Sequence, residues 1–165
     1  MPAKKKITKK KKVVAVSGGF DPLHIGHVRL FQTAKKLGDE LVVILNNDNW
    51  LKKKKGYAFM HEEERREVIE AIKGVDRVLL TRHGVNPKDM SVSRELRRLK
   101  PHIFANGGDR NKADAANPRS PLYKDINTCK DLGIEMIFSI GHGGKIQSSS
   151  WLIAKYEKVL DKKRK

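Results

Sequence analysis

The hydrophobic positions of this chain follow two alternating spacings. Short continuous apolar runs are followed by longer stretches in which apolar residues recur every three or four positions. Continuous runs are typical of strands buried on both faces of a parallel sheet, and the longer stretches are typical of amphipathic helices. Their alternation predicts an α/β fold in which helices cover both faces of a parallel sheet.

Five apolar runs are predicted as strands and five periodic stretches as helices. The predicted strands are 13–16, 41–45, 76–80, 102–105 and 134–138. The predicted helices are 25–37, 62–72, 91–99, 121–132 and 151–160. The lysine-rich segment 50–56 and the proline-bearing segment 111–121 are predicted as loops, because they are polar and contain glycine or proline.

The turn between the first strand and the first helix carries the clearest candidate chemistry. It reads Ser-Gly-Gly-Phe-Asp-Pro-Leu-His-Ile-Gly-His over residues 17–27. A glycine turn that leaves a strand and opens a helix presents backbone N–H groups and the positive end of the helix dipole, which suits a phosphate. His24 and His27 are three positions apart, so in the first helical turn they point to one side. The dipole favours neutral imidazoles, and a bound polyphosphate favours their protonation.

Two other interpretations of the histidine pair stay open. The pair can be two surface histidines beside a helix cap. It can also hold a metal, since histidines at this spacing share one side of a helix. In that case Asp21 is the only nearby third ligand, whereas zinc sites use three or four protein ligands.

Two later segments add further candidate phosphate and nucleoside contacts. The fourth strand runs into Asn-Gly-Gly-Asp-Arg at 106–110, where a carboxylate can accept from a ribose or a base. The serines at 148–150 open the last helix and combine hydroxyl groups with free N–H donors. An ordinary turn and an ordinary helix cap are the alternatives. We expect the last helix to face the same polyphosphate as the first, from the opposite side.

Together these segments resemble the HxGH signature of the nucleotidyltransferase superfamily. They are most similar to its cytidylyltransferase-like group, which includes glycerol-3-phosphate cytidylyltransferases and the adenylyltransferase domain of ADP-heptose synthases. The resemblance covers about residues 13–155 and implies a Rossmann-like, doubly wound sheet of five parallel strands, with helices on both faces, in a single domain. It implies an enzyme that joins CTP or ATP to a sugar, polyol or alcohol phosphate and releases pyrophosphate.

Two other groups with related motifs fit less well. Class I aminoacyl-tRNA synthetases share the His-Ile-Gly-His sequence, but they need a KMSKS loop and a much longer chain, and Lys-Asp-Met-Ser at 88–91 is not that loop. Nicotinamide-mononucleotide adenylyltransferases have an arginine three residues after Ser-Ser-Thr, where this chain has Ile153.

The resemblance also implies roles for individual side chains. The implied catalytic residues are His24, His27, Lys55 and Arg65. The implied nucleotide-binding residues are Gly18, Gly19, Phe20, Asp21, Lys52, Gly107, Asp109, Ser148, Ser149 and Ser150. Asp48 and Arg82 are implied to bind the acceptor. The spacing of Asn46, Asp48, Lys52 and Lys55 resembles that of the corresponding loop in similar families, where lysines contact phosphates. Lys52 and Lys55 are therefore preferred over the two lysines between them. Without the resemblance, a solvated lysine run and a surface arginine are the ordinary interpretations.

The chemistry of this reaction makes few demands on the protein. The acceptor is already a phosphate dianion, so its oxygen can attack the α-phosphorus without a general base. The protein aligns the reactants and stabilises charge on the phosphate oxygens. We expect Mg²⁺ on the triphosphate, held by water alone or by Asp21. Two alternatives remain: an FAD-synthetase-like enzyme acting on FMN, and a non-catalytic nucleotide or nucleic-acid binder.

Composition indicates the size of the domain and the cellular compartment of the protein. The 165 residues suffice for one domain, and a hydrophobic content of 38% with a single cysteine predicts a soluble, cytoplasmic protein from a reducing compartment. No apolar run approaches membrane-spanning length, and no apolar region follows the lysine-rich start as in a secretory signal. Because the similar families are mostly homodimers, a homodimer is expected.

Much of the net charge of +17 lies at the two ends of the chain. Seven lysines among residues 1–12 and a net +3 over 161–165 leave +7 for residues 13–160. We therefore predict a basic disordered tail at 1–12, a nucleotidyltransferase domain at 13–160 and a basic tail at 161–165. The tails can bind nucleic acid weakly, but they lack interleaved aromatic residues for stacking, which favours a role in solubility.

Overall fold

The computed structural model describes residues 10–108, 113, 116–141 and 147–164. Over these residues the strands are β1 (Val13–Gly18), β2 (Glu40–Leu45), β3 (Arg77–Leu80), β4 (Ile103–Gly107) and β5 (Glu135–Ile140). The helices are α1 (Ile25–Lys35), α2 (Asp48–Lys55), α3 (Glu62–Glu70), α4 (Ser93–Leu99), α5 (Pro121–Leu132) and α6 (Ser149–Lys163).

The five strands form one parallel sheet with the order β3-β2-β1-β4-β5. The chain winds outward from β1 to β3 and then returns to the other side of β1. The carboxyl ends of β1 and β4 are therefore neighbours at the point where the winding reverses, which is where such sheets bind ligands. The predicted Rossmann-like, doubly wound fold is confirmed.

Successive residues of the central strand pack against helices on opposite faces of this sheet. Val14 and Val16 lie in a buried cluster with Phe31 of α1, whereas Ala15 lies in a second cluster with Leu96 of α4. This alternation follows from the two-residue period of a strand. Both faces of β1 are consequently shielded from water, and packing on both sides restrains the strand that leads to the turn at residues 17–27.

The lysine-rich segment after β2 is a helix rather than the predicted loop. The side chain of Asn47 caps α2 by accepting from the N–H of Trp50 at 3.1 Å. Gly56, with a φ of 86°, ends the helix in the left-handed conformation that favours glycine. Only Trp50 and Leu51 are buried on this eight-residue helix, so its sequence shows too few apolar positions for a periodic pattern.

Both predicted domain boundaries lie inside backbone that the structure describes. The N–H of Lys12 donates to the carboxylate of Asp39 at 2.8 Å, and the carbonyl of Lys12 accepts from the N–H of Asp39 at 2.8 Å. Lys12 is thus fastened to the domain, and α6 continues beyond residue 160 to Lys163. Residues 1–9 of the predicted tail lie outside the described residues. None of the described helices is long and apolar enough to cross a membrane.

Candidate active site

A cavity of about 310 Å³ opens where β1 and β4 end. Its walls are the turn after β1, the end of β4, the first turn of α6 and one side of α2. Many of the predicted site residues line it: Gly18, Gly19, Phe20, Asp21, His24, His27, Lys55, Gly107, Ser148, Ser149 and Ser150. The fold thus brings together segments that are more than 120 positions apart in the sequence.

The N-termini of α1 and α6 meet at this cavity. The hydroxyl of Ser149 donates to the carbonyl oxygen of Pro22 at 2.9 Å, which ties the start of α6 to the loop that precedes α1. Both helix starts line the same cavity, as the motif order predicts. Two positive helix ends that face one space make a suitable environment for a polyphosphate.

The two histidines cap α1 together. Nδ1 of His24 accepts from the N–H of Gly26 at 3.1 Å, and Nδ1 of His27 accepts from the N–H of His24 at 3.3 Å. Their rings stack with centroids 3.7 Å apart. Because each Nδ1 is an acceptor, the hydrogen-bond pattern assigns the proton of each neutral ring to Nε2. The Nε2–H of each ring can therefore donate a hydrogen bond to a phosphate oxygen.

The surroundings of the pair favour this neutral state. Burial lowers the pKa of His27 from 6.5 to about 3, and the charges of His24 and Lys55 add to the effect. The pKa of His24 is also below its ordinary value, because of burial and the charge of Lys55. Both rings are neutral hydrogen-bond donors near pH 7 until a bound anion changes their environment.

This arrangement predicts acid destabilisation through His27. Between pH 6.5 and 3 the unfolded chain binds a proton at this position and the folded chain does not, so stability falls as the pH decreases. In urea titrations at pH 7.5 and 4.5, we expect the wild type to lose about 2–3 kcal/mol more than His27→Asn. The carboxylates of both proteins are the same, so their contribution cancels. Equal losses in the two proteins would refute the assignment.

Two lysines of α2 face the cavity, and one of them, Lys55, was among the predicted residues. Nζ of Lys55 donates to the carbonyl of Asp21 at 2.8 Å, and Lys54 lines the cavity with its Nζ 4.8 Å from the ring centroid of Trp50. Lys52 is exposed and lies off the cavity wall, whereas Lys54, which the sequence analysis did not prefer, lies on it. In a helix, positions 54 and 55 share a side with buried Leu51, and position 52 does not.

Arg65 is buried with an exposed fraction of 0%, and it does not line the cavity. Its Nη1 donates to the carbonyl oxygens of Gly19 at 2.6 Å and Asn46 at 2.7 Å, and its Nε donates to that of Met60 at 3.0 Å. Its Nη2 donates to the carboxylate of Asp48 at 2.6 Å. All three guanidinium nitrogens of Arg65 thus have protein partners, and its implied phosphate contact stays a prediction. The arginine positions three segments that surround the site.

The carboxylates near the site also have protein partners. Asp48 is bonded to Arg65 and lies off the cavity wall, and its implied role in binding the acceptor stays a prediction. Asp21 is buried, and its carboxylate accepts from the N–H groups of Phe59 at 2.7 Å and Met60 at 2.8 Å. Among the described residues, no group of three or more His, Cys, Asp or Glu side chains can hold a metal ion. Asp21 is the carboxylate among the described residues that lines the cavity, and Mg²⁺ on the triphosphate stays a prediction.

Comparison with known proteins identifies the family. The Cytidylyltransferase-like family matches residues 15–131, which is more than half of the chain. The chain belongs to this family. A protein named FAD synthase from Thermococcus sibiricus is 40% identical over 123 residues, covering 73% of this chain and 80% of that protein. The bifunctional protein HldE of Pelobacter propionicus is 38% identical over 101 residues, covering 60% of this chain and 20% of that protein.

A solved structure supports the same assignment. The crystal structure of a lipopolysaccharide core biosynthesis protein from Thermoplasma volcanium has a TM-score of 0.63 and 28% identity to this chain. The match covers 81% of this chain and 100% of the other. This cytidylyltransferase-like protein is therefore a nucleotidyltransferase, which confirms the expected enzyme class.

The remaining predicted residues of the cytidylyltransferase-like protein lie elsewhere. Arg82 is exposed and lies off the cavity wall, and its implied role in binding the acceptor stays a prediction. Asp109 lies outside the described residues. Phe20 lines the cavity but is buried by edge contacts with the rings of His27 and Phe31, each at 5.0 Å, so it supports the histidine pair.

Some cavity residues were missed by the sequence analysis. Asn106 is buried at the end of β4, in the glycine-rich segment that the motif had marked, and it lines the cavity. Trp50 and Leu51 also line the cavity. Recognising these two would have required knowing that 48–55 is a helix.

Proposed function

We propose that this nucleotidyltransferase transfers AMP from ATP to the phosphate of FMN and releases pyrophosphate, which is the reaction of an FAD synthase. The observation that carries the proposal is the 40% identity to a protein of that name over 80% of its length. The FAD-synthetase-like activity was the alternative in the sequence analysis, and the relatives favour it over the principal expectation. FMN bears its phosphate on a ribityl chain, so it is itself a polyol phosphate and fits that expectation chemically.

The cavity supports this chemistry with the residues it contains. An oxygen of the FMN phosphate attacks the α-phosphorus of ATP, a P–O bond forms there, and the bond to the β-phosphate oxygen breaks to release pyrophosphate. No proton has to be removed from the dianionic acceptor. The Nε2–H groups of His24 and His27, the ammonium of Lys55 and the two helix N-termini are the groups that can stabilise the phosphate oxygens.

Magnesium enters the proposal only as the counterion that ATP brings. Among the residues that the structure describes, Asp21 is the one carboxylate on the cavity wall, and it already accepts two backbone hydrogen bonds. We therefore assign no side chain among the described residues to the metal. A homodimer, a cytoplasmic location and weak nucleic-acid binding by the tails remain predictions.

The test is a panel of substrates in which two products, FAD and pyrophosphate, are measured. The purified full-length protein is incubated with Mg²⁺, ATP or CTP, and FMN, and FAD is separated by chromatography while pyrophosphate is measured by a coupled assay. We expect FAD and pyrophosphate in equal amounts with ATP and much less product with CTP. Pyrophosphate release that needs a different acceptor would overturn the choice of FMN. No release with any pair would count against an enzyme.

A second acceptor class has support of its own. The identity to HldE and the likeness to the lipopolysaccharide core biosynthesis protein favour a sugar phosphate. The same panel therefore includes a sugar 1-phosphate and glycerol 3-phosphate with each nucleotide. A higher kcat/KM for one of these than for FMN would select this class.

A further inference from the structure

The loop between α2 and α3, residues 56–61, carries two exposed aromatic side chains beside the cavity. Phe59 is 61% exposed and Tyr57 is 44% exposed. The loop begins directly after Lys55, which lines the cavity, and the N–H of Phe59 bonds to the carboxylate of Asp21, which also lines it. The loop that carries the aromatic pair is thus connected to the cavity wall at two residues, Lys55 and Asp21.

The backbone of Phe59 and Met60 is held by buried side chains. The carboxylate of Asp21 accepts from the N–H groups of Phe59 and Met60, and Nε of Arg65 donates to the carbonyl of Met60 at 3.0 Å. A single exposed aromatic residue on a loose surface loop would be ordinary. Here two buried charged groups fix the main chain that presents it. Aromatic residues presented on a fixed backbone lose little entropy when they bind a ligand.

The volume of the cavity suits one substrate, so the second substrate would lie outside it. About 310 Å³ is near the lower end of the range for a single small-molecule site, which is roughly 300–1,000 Å³. A transfer between two phosphates needs both substrates at once, with their phosphates adjacent. With the nucleotide in the cavity, the acceptor phosphate lies at its rim and the rest of the acceptor extends over a neighbouring surface. The rim at α2 carries Lys54 and Lys55, whose charge suits that phosphate.

We propose that Phe59, with Tyr57 beside it in the loop, is the surface on which the planar ring of the acceptor stacks. This inference rests on the proposed function and assigns a subsite for its acceptor. The ligand class is a phosphate ester that bears a flat fused heteroaromatic ring, as FMN does. An aromatic side chain offers such a ring a large contact area and favourable stacking geometry. A simple sugar phosphate has no ring system to stack, so the loop selects against it.

The test compares substitutions in the loop with one outside it. Steady-state rates give KM for FMN and for ATP, and flavin fluorescence gives the Kd of FMN in the presence of Mg²⁺ and α,β-methylene ATP. For Phe59→Ala we expect KM and Kd for FMN to rise about tenfold, as for removal of one stacking side chain. The KM for ATP and the Tm stay at wild-type values, and Phe59→Trp restores FMN binding. Val68→Ala on α3 is the matched control, because Val68 is 43% exposed and lies away from the cavity.

The outcomes separate this inference from the proposed function. If the wild type makes FAD and Phe59→Ala binds FMN as tightly as the Val68→Ala control, the stacking surface is refuted and the function stands. If the wild type neither binds FMN nor makes FAD, the proposed function is refuted and this subsite with it. A parallel rise in KM for ATP and FMN would assign the loop a general structural role and overturn the subsite.

Discussion

Replacing His27 or His24 by asparagine is expected to lower kcat by about 100- to 1,000-fold, the usual cost of removing one preorganised donor to a developing phosphate charge. The oxygen of an asparagine side chain can take the place of Nδ1, so the hydrogen bonds that cap α1 are kept. Only the Nε2–H that faces the ligand is lost. The measurement is the rate of pyrophosphate release at saturating ATP and acceptor, together with the Tm of each variant.

His102 offers a matched control for this pair. Its Nδ1 also accepts a backbone N–H, from Val13 at 3.0 Å, but it lies at the opposite end of the sheet from the cavity. We expect His102→Asn to keep the wild-type rate. A rate within threefold of wild type for His27→Asn and His24→Asn would remove the histidines from the mechanism, whatever the effect of the control.

The largest effect on stability is expected from Arg65→Met. Its four hydrogen bonds reach three carbonyl oxygens and the carboxylate of Asp48, and the variant removes all four; the carboxylate keeps its contact with Nδ1 of His61 at 3.2 Å. Removing one member of a buried ion pair costs about 3–5 kcal/mol. We expect the free energy of unfolding, measured by urea titration, to fall by this amount, and the Tm to fall by about 10 °C.

The neighbouring arginine is the control. Arg66 pairs with Glu70 on the exposed side of α3, and such solvent-screened surface pairs contribute little to stability. Arg66→Met should therefore leave the urea midpoint almost unchanged. If Arg65→Met is as stable as Arg66→Met but inactive, Arg65 contacts the phosphates as the resemblance implies, and the positioning role is wrong.

The sequence predicted the sheet better than it predicted the ends of the helices. Strands such as Val13–Gly18 and Glu40–Leu45 are continuous apolar runs with few alternative structures, so their positions follow from local sequence. Helix α2 was missed because its stability depends on two buried residues, an asparagine cap and a terminal glycine. Such features are decided at single positions and give no periodic signal.

The directions of individual side chains decided which of the predicted site residues lie on the cavity wall. His24, His27 and the serines at 148–150 were placed by motifs at helix starts, where the backbone itself determines which way the site faces. Arg65 and Asp48 belong to matching motifs as well, but they pair with each other below the surface of the cavity. A sequence motif does not state whether a charged side chain points to the ligand or to the protein.

The sequence by itself determined the family, the parallel α/β sheet and the two helix N-termini that open on one cavity. These depend on local spacing and on glycine turns, which act over a few residues. The tertiary structure alone decided that Lys54 rather than Lys52 faces the cavity, that Asp21 and Arg65 hold the loop at 56–61, and that Phe59 stands exposed at the rim. Each of these depends on contacts between segments that are far apart in the chain, and local sequence does not specify how such segments meet.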